Sequence, residues 1–225
     1  MKINNLIMIL SITMVMGISA CSVGDPFSAE NSDSNTLNLA LMSETIAAFP
    51  LDSLSGEEVS GLILMREEEK LARDVYTHLY ASWNMRIFRN ISASEATHMN
   101  ALLILLDRYD LEDPVGEDIV GSFENETLQS LYISLCAQGD SSLAGALEVG
   151  ATIEDLDIMD LMELSEQVDN EDILFTYESL TKGSRNHMRS FVSQLQRYGE
   201  NYDAQFIEQV LLDSILATPK EVGNW

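Results

Sequence analysis

The chain has 225 residues, 46% of them hydrophobic, with 12 Lys and Arg against 37 Asp and Glu and a formal net charge of −25. So negative a body repels the phosphates of nucleic acid and the headgroups of anionic lipid alike, which argues against both as partners of its folded surface. Its 2 cysteines, Cys21 and Cys136, are too few for a disulfide framework, so stability must come from burial or from bound metal.

Residues 1–20 read as a secretory signal, with Lys2 as a short positive start and LIMILSITMVMGI as an apolar run too short to span a bilayer comfortably. The small residues Ser19 and Ala20 before Cys21 resemble a bacterial lipobox, in which the signal is cut before a cysteine whose thiol carries the lipid. On that reading the chain belongs to the cell envelope, its domain outside the cytoplasm and its membrane link the lipid on Cys21 alone. Ser22 offers no aspartate retention signal of the inner-membrane kind. The alternative is an ordinary signal peptide followed by a chance cysteine. Residues 21–40 then suit a solvated tether, 41–217 a helical domain and 218–225 a tail.

Within the domain the apolar spacing is helical throughout, and no stretch alternates as a strand. A first core helix is expected to start at Ser55, where SGEE offers a capping box with Glu58, and to run to about Trp83. A second runs from about Ser92 to Tyr109 and ends at a turn containing Pro114. NETLQSLYISLCAQ follows as a shorter helix stopping at Gly139, with Cys136 an inert buried thiol. Long helices over roughly 142–167 and 172–199 come next, and DAQFIEQVLLDSIL closes as a last short one. The pattern predicts an all-α four-helix bundle with an extra short helix between the second and third long helices.

Four places put ionisable groups where an apolar face belongs. In EEEKLARDVY, Glu69, Ala72 and Tyr76 share one stripe; Glu67 and Glu68 point away from it toward solvent, and His78 lies on the opposite side. In SEATHMN, Glu95 and His98 sit one turn apart; Ser92-x-x-Glu95 is itself a capping pattern, which would explain the glutamate but not the histidine. In IEDLDI, Glu154 and Asp157 occupy an apolar row, while Glu148, Asp155 and Asp160 read as surface residues. In GSRNHMRSF, His187 stands before a hydrophobic run. Each reads singly as a cap, a solvated face or a core-edge histidine. Together, so many carboxylates near one core are too costly to desolvate unless a cation joins them, and the mixture suits divalent metal.

These stretches, with VGATIEDLDIMDL and LTKGSRNHMRSF, resemble ferritin-like di-iron carboxylate proteins of the rubrerythrin and erythrin type, and within them an uncharacterised domain family. The resemblance spans about residues 57–200 and implies Glu69, Glu95, His98, Glu154 and His187 as ligands to two iron ions, with manganese as the other candidate. One departure stands out. The fourth helix of that pattern carries Glu-x-x-His, but here Ser184 precedes His187. Asp157 is the candidate for the missing carboxylate; otherwise the second position is weaker, or the site holds one ion.

The resemblance implies an oxidoreductase acting on peroxide, oxygen or ferrous ion, with Tyr76 as a catalytic candidate beside a plainer role as a packed core tyrosine. No rubredoxin-like cysteine set accompanies it, so an electron donor would be external; many ferritin-like domains dimerise, which makes a homodimer an expectation too. The alternative is a non-catalytic helical lipoprotein that buffers metal or binds a protein partner. Hydrolase chemistry has little support, for there is no Gly-x-Ser-x-Gly elbow and Cys136 has no paired histidine.

Overall fold

Seven α-helices and no strand make up the described residues, 38–222, of the computed structural model. The signal segment, Cys21 and nearly all of the expected tether lie outside them. The helices are α1 Leu39–Ala48, α2 Gly56–Trp83, α3 Arg86–Arg108, α4 Glu126–Gly139, α5 Leu143–Ser165, α6 Glu171–Arg197 and α7 Gln209–Leu216.

α2 begins with the expected capping box: Ser55 Oγ accepts the Glu58 amide at 3.1 Å, and the Glu58 carboxylate accepts the Ser55 amide at 2.8 Å. The other Glu58 oxygen accepts from the amides of Asp169 and Asn170 and from the Asn170 side chain, tying the start of α2 to the α5–α6 turn. α3 begins at Arg86 rather than Ser92. Asn84 adopts a left-handed conformation, φ 51°, that ends α2 abruptly, and Phe88 and Ile91 already sit on the buried face of the next helix. α1, which the sequence reading does not contain, is a short helix whose Met42 and Ile46, one turn apart, are buried against the second apolar cluster.

α2, α3, α6 and α5 pack in a ring, each against the next, with α2 and α5 closing it. Their apolar faces form two clusters. One gathers Val75, Leu79, Phe88, Leu147, Phe191 and Leu195; the other gathers Leu62, Met65, Leu102, Leu105, Leu161 and Leu180. Followed along the chain, α2 and α6 run from the second cluster to the first, whereas α3 and α5 run from the first to the second. Neighbours in the ring are therefore antiparallel. Because α3 and α5 point the same way, the connection between them must travel back along the helices, and α4 lies in it, packed on α2 and α5.

One face of α2 holds that connection down. Arg66 grips Asp113 through two bonds of 3.0 and 2.8 Å, and Arg73 grips Asp118 at 2.7 and 2.6 Å. Glu67, expected in solvent, is buried and accepts the amides of Glu124 and Asn125 just before α4. Lys70 is buried too: its ammonium donates to Asp74 at 2.6 Å and to the Ile119 carbonyl at 2.9 Å, and lies 4.2 Å from the centre of the Phe123 ring. Asp74 in turn accepts from Arg73 and from the Gly121 amide. Asp155, expected at the surface, is fully buried and accepts from the Tyr202 hydroxyl and the amides of Gln205, Phe206 and Ile207, which docks the segment before α7.

Removing one partner of a buried ion pair leaves an uncompensated charge. Asp74→Ala is therefore expected to destabilise the protein by about 3–5 kcal/mol in urea unfolding, far more than loss of an exposed carboxylate. A change of a few tenths would show that the clamp on the α3–α4 connection contributes little.

Candidate metal centre

Between the two apolar clusters lies a polar layer to which all four long helices contribute. α2 brings Glu69, α3 brings Glu95 and His98, α5 brings Glu154 and α6 brings His187; all five residues are buried. Helical spacing does the placing. Glu69 lies one turn before Ala72 and two before Tyr76 on the inward stripe of α2, and Glu95 and His98 share one face of α3. Glu95 is not a cap, because Ser92 is well inside α3, where its hydroxyl donates to the Arg73 carbonyl.

Donor atoms of these residues form two groups, each able to hold a metal ion: Glu69, Glu95 and His98, and Glu95, Glu154 and His187, with the atoms of each group within 4.8 Å of one another. Glu95 belongs to both. Its Oε2 lies 2.7 Å from His98 Nδ1, and its Oε1 lies 2.8 Å from His187 Nδ1. Glu69 Oε2 is 3.1 Å from His98 Nδ1, and Glu154 Oε2 is 3.4 Å from His187 Nδ1. The two imidazoles are stacked, their centres 5.5 Å apart.

Several of these atoms have no hydrogen-bond partner among the described residues despite burial. Glu69 Oε1, Glu95 Oε1 and His187 Nδ1 are all unpartnered, the last two close to each other but not aligned to bond. Buried polar atoms are ordinarily satisfied, and three orphans in one spot indicate donor sites that protein groups do not fill. Carboxylate oxygens and imidazole nitrogens in this proportion fit a hard-to-borderline divalent ion.

Electrostatics say the same. Burial pushes the Glu69 carboxyl up to about 7, against the pull of His98. Glu95 goes the other way: burial opposes its charge, but the flanking His187 and His98 hold it below the usual carboxylate range. Burial disfavours the imidazolium of His187, yet Glu95 and Glu154 raise it to about 10, and His98 is raised likewise by Glu69 and Glu95. Protons on the imidazoles thus balance the carboxylates where a cation would.

Other sequence candidates take different stations. Tyr76 is buried, and its hydroxyl donates to Glu154 Oε1 at 2.5 Å. Asp157 is half-buried, and its carboxylate accepts from the Ser184 hydroxyl; it is not in either donor group. His78 pairs at 3.0 Å with Asp140 at the surface, in neither group, as its place on α2 predicts. Cys136 is buried in the first apolar cluster, and burial lifts its thiol to about 11, consistent with an inert role. Glu68 and Asp160, expected in solvent, are part-buried; burial and neighbouring carboxylates raise Glu68 well above the usual range and Asp160 to about 6.

Two residues that matter here escape sequence reasoning. Ser94 Oγ lies 3.1 Å from His187 Nε2. Gly183 leaves room for the His98 ring, since a Cβ there would come within 2.5 Å of its Cε1 and Nε2. The glycine inside a helical run was the one available signal; a serine beside a glutamate on a half-buried face gives none.

The family model described as an uncharacterized protein domain (DUF2202) matches residues 58–219, a span that contains the whole cluster. The uncharacterized protein MJ0754 of Methanocaldococcus jannaschii is 52% identical over 182 residues, which cover 81% of this chain and 98% of that protein. A crystal structure of hypothetical protein MJ0754 from Methanococcus jannaschii matches with a TM-score of 0.76 at 52% identity, over 77% of this chain and 99% of that one.

The shifted groups fix the sign of a pH dependence. Glu69 titrates near 7 rather than its usual 4.5, and His187 near 10 rather than 6.5, so both hold more protons folded than unfolded as pH rises from 5 toward 10. Stability held by those protons is complete below the unfolded pKa and is lost as pH climbs through the folded one. In EDTA the Tm is therefore expected to fall between about pH 5 and pH 9. Because ligation displaces the same protons, saturating Mn2+ should raise Tm more at about pH 9 than at about pH 6. A Tm independent of both would remove the proton-for-cation exchange.

Proposed function

The chain belongs to the DUF2202 family, and we propose that it is a ferritin-like protein whose polar layer holds two metal ions, iron before manganese, for redox chemistry on dioxygen, peroxide or ferrous ion. The observation that carries this reading is Glu95: one buried carboxylate whose two oxygens face two different histidines, each backed by a further glutamate.

Topology supports it independently. Ferritin-like folds have one long crossover, and their dinuclear centres take a lone Glu from each of two helices and Glu-x-x-His from the other two. Here the crossover joins α3 to α5, α2 and α5 carry the lone Glu69 and Glu154, α3 carries Glu95-x-x-His98, and α6 keeps His187 with Ser184 for the glutamate. Two ferrous ions held in such a donor set would supply electrons to oxygen or peroxide.

The residues of the chain do the rest. Glu95 would offer one oxygen to each position, and Glu69 with His98, and Glu154 with His187, would complete one each. Tyr76 orients Glu154 through its phenolic hydrogen bond, and the apolar clusters on either side keep bulk water from the layer. The N-terminal run ending at Cys21 supports a lipid anchor, and Cys21→Ser is expected to move the chain from the detergent to the aqueous phase in a two-phase separation of cell extract.

The reading is tested by elemental analysis of the full chain reconstituted anaerobically with Fe2+. About two irons per chain are expected. Glu95→Gln should lose both, because both positions use that residue, whereas His98→Ala should keep at most one, with circular dichroism confirming that each variant folds. No iron in the folded wild-type protein would sink the proposal.

A further inference from the structure

The two donor groups share Glu95 but are not supported alike. In the first, Glu69 Oε2 bonds to its co-ligand His98 and Oε1 has no partner among the described residues, so no group there outside the donor set orients the carboxylate. The Nε2 edge of His98 meets Gly183, where any side chain would collide with the ring. In the second, both residues besides the shared Glu95 have an outside partner: the Tyr76 hydroxyl donates to Glu154 Oε1 at 2.5 Å, and Ser94 Oγ sits 3.1 Å from His187 Nε2.

An imidazole that gives its Nδ1 lone pair to a metal must keep its proton on Nε2, and that proton needs an acceptor. His187 has one in Ser94. Without it, the carboxylates of Glu95 and Glu154 around Nδ1 would draw the proton to the wrong nitrogen. His98 faces the same pull from Glu69 and Glu95, with bare backbone behind it.

Building on the proposed metal reading, we infer that Ser94 is a positioning residue for His187, fixing the tautomer that frees Nδ1, and that the Glu95–Glu154–His187 position binds metal more tightly than the Glu69–Glu95–His98 position. The asymmetry lies in neither donor set, since each offers two carboxylates and one imidazole. It lies in what stands behind them. Outer partners of this kind are worth roughly 10–100-fold in metal affinity.

The test is titration of the full metal-free chain with Co2+, followed by calorimetry and by visible absorption, which reports histidine ligation. Wild type should bind in two resolved steps. His98→Ala should retain the tighter step and His187→Ala the weaker. Ser94→Ala, which puts a better helix former on α3 and so leaves the fold intact, should weaken the tighter step by roughly 10–100-fold and leave the other unchanged. Ser94→Thr, which keeps the hydroxyl, should restore it. Two equal steps in wild type, equal weakening of both steps in Ser94→Ala, no weakening, or no rescue by threonine would each overturn the inference while leaving a dinuclear site standing. No cobalt bound by folded wild type would overturn the metal reading itself, and this inference with it.

Discussion

Everything in this structure is arranged around the cost of burying Glu69, Glu95, Glu154, His98 and His187 in one layer between two apolar clusters. Carboxylates so placed repel one another and lose their hydration, and the molecule can keep them charged only by bringing positive charge among them. Without a cation that charge comes from protons on the two imidazoles. The layer is therefore poised between two occupants, and the four helices that supply it cannot be repacked independently, because each ends half of its apolar face there.

α2 carries the greatest share of this burden. One side of it presents Glu69 and Tyr76 to the layer, and the adjoining side buries Arg66, Glu67, Lys70 and Asp74 against the α3–α4 connection. The two roles are linked by topology. Parallel α3 and α5 require a connection that runs the length of the helices, and such a segment stays in place only if something grips it. An irregular stretch has many backbone groups to satisfy, and charged side chains on one helix can reach several of them. The helix that lines the centre is thus also the strut that holds the crossover, and it is capped at its start by a box whose Glu58 fixes the α5–α6 turn as well.

Helix periodicity makes the four long elements, the crossover helix and the five clustered donor residues legible, because each of those residues falls on a stripe that is otherwise apolar. What periodicity could not say was which polar residues off that stripe are buried. Glu67, Glu68 and Asp155 look like ordinary solvated charges in sequence, since nothing local marks the loop amides or neighbouring carboxyls that they meet across the chain. The start of α3 is not legible for a related reason. Ser92-x-x-Glu95 has the spacing of a capping box, but the left-handed Asn84 turns the chain early, and tertiary burial of Phe88 and Ile91 outweighs the local signal.

Ser184 marks where this chain departs from the ferritin-like pattern that its other site residues resemble. In the ferritin-like pattern a glutamate stands one turn before the histidine of the last helix; here that place holds a serine, which by itself would leave the layer one carboxylate short. Asp157, one turn beyond Glu154 on α5, supplies a carboxylate at the same spot from the facing helix, and Ser184 donates a hydrogen bond to it. That carboxylate belongs to α5, is bonded to a hydroxyl, and lies in neither donor group. Glu69, Glu154 and Glu95 all press on Asp157, and burial raises it well above the usual range. A carboxyl so placed is disfavoured as an anion, and its bonding partner is Ser184 rather than a member of either donor group.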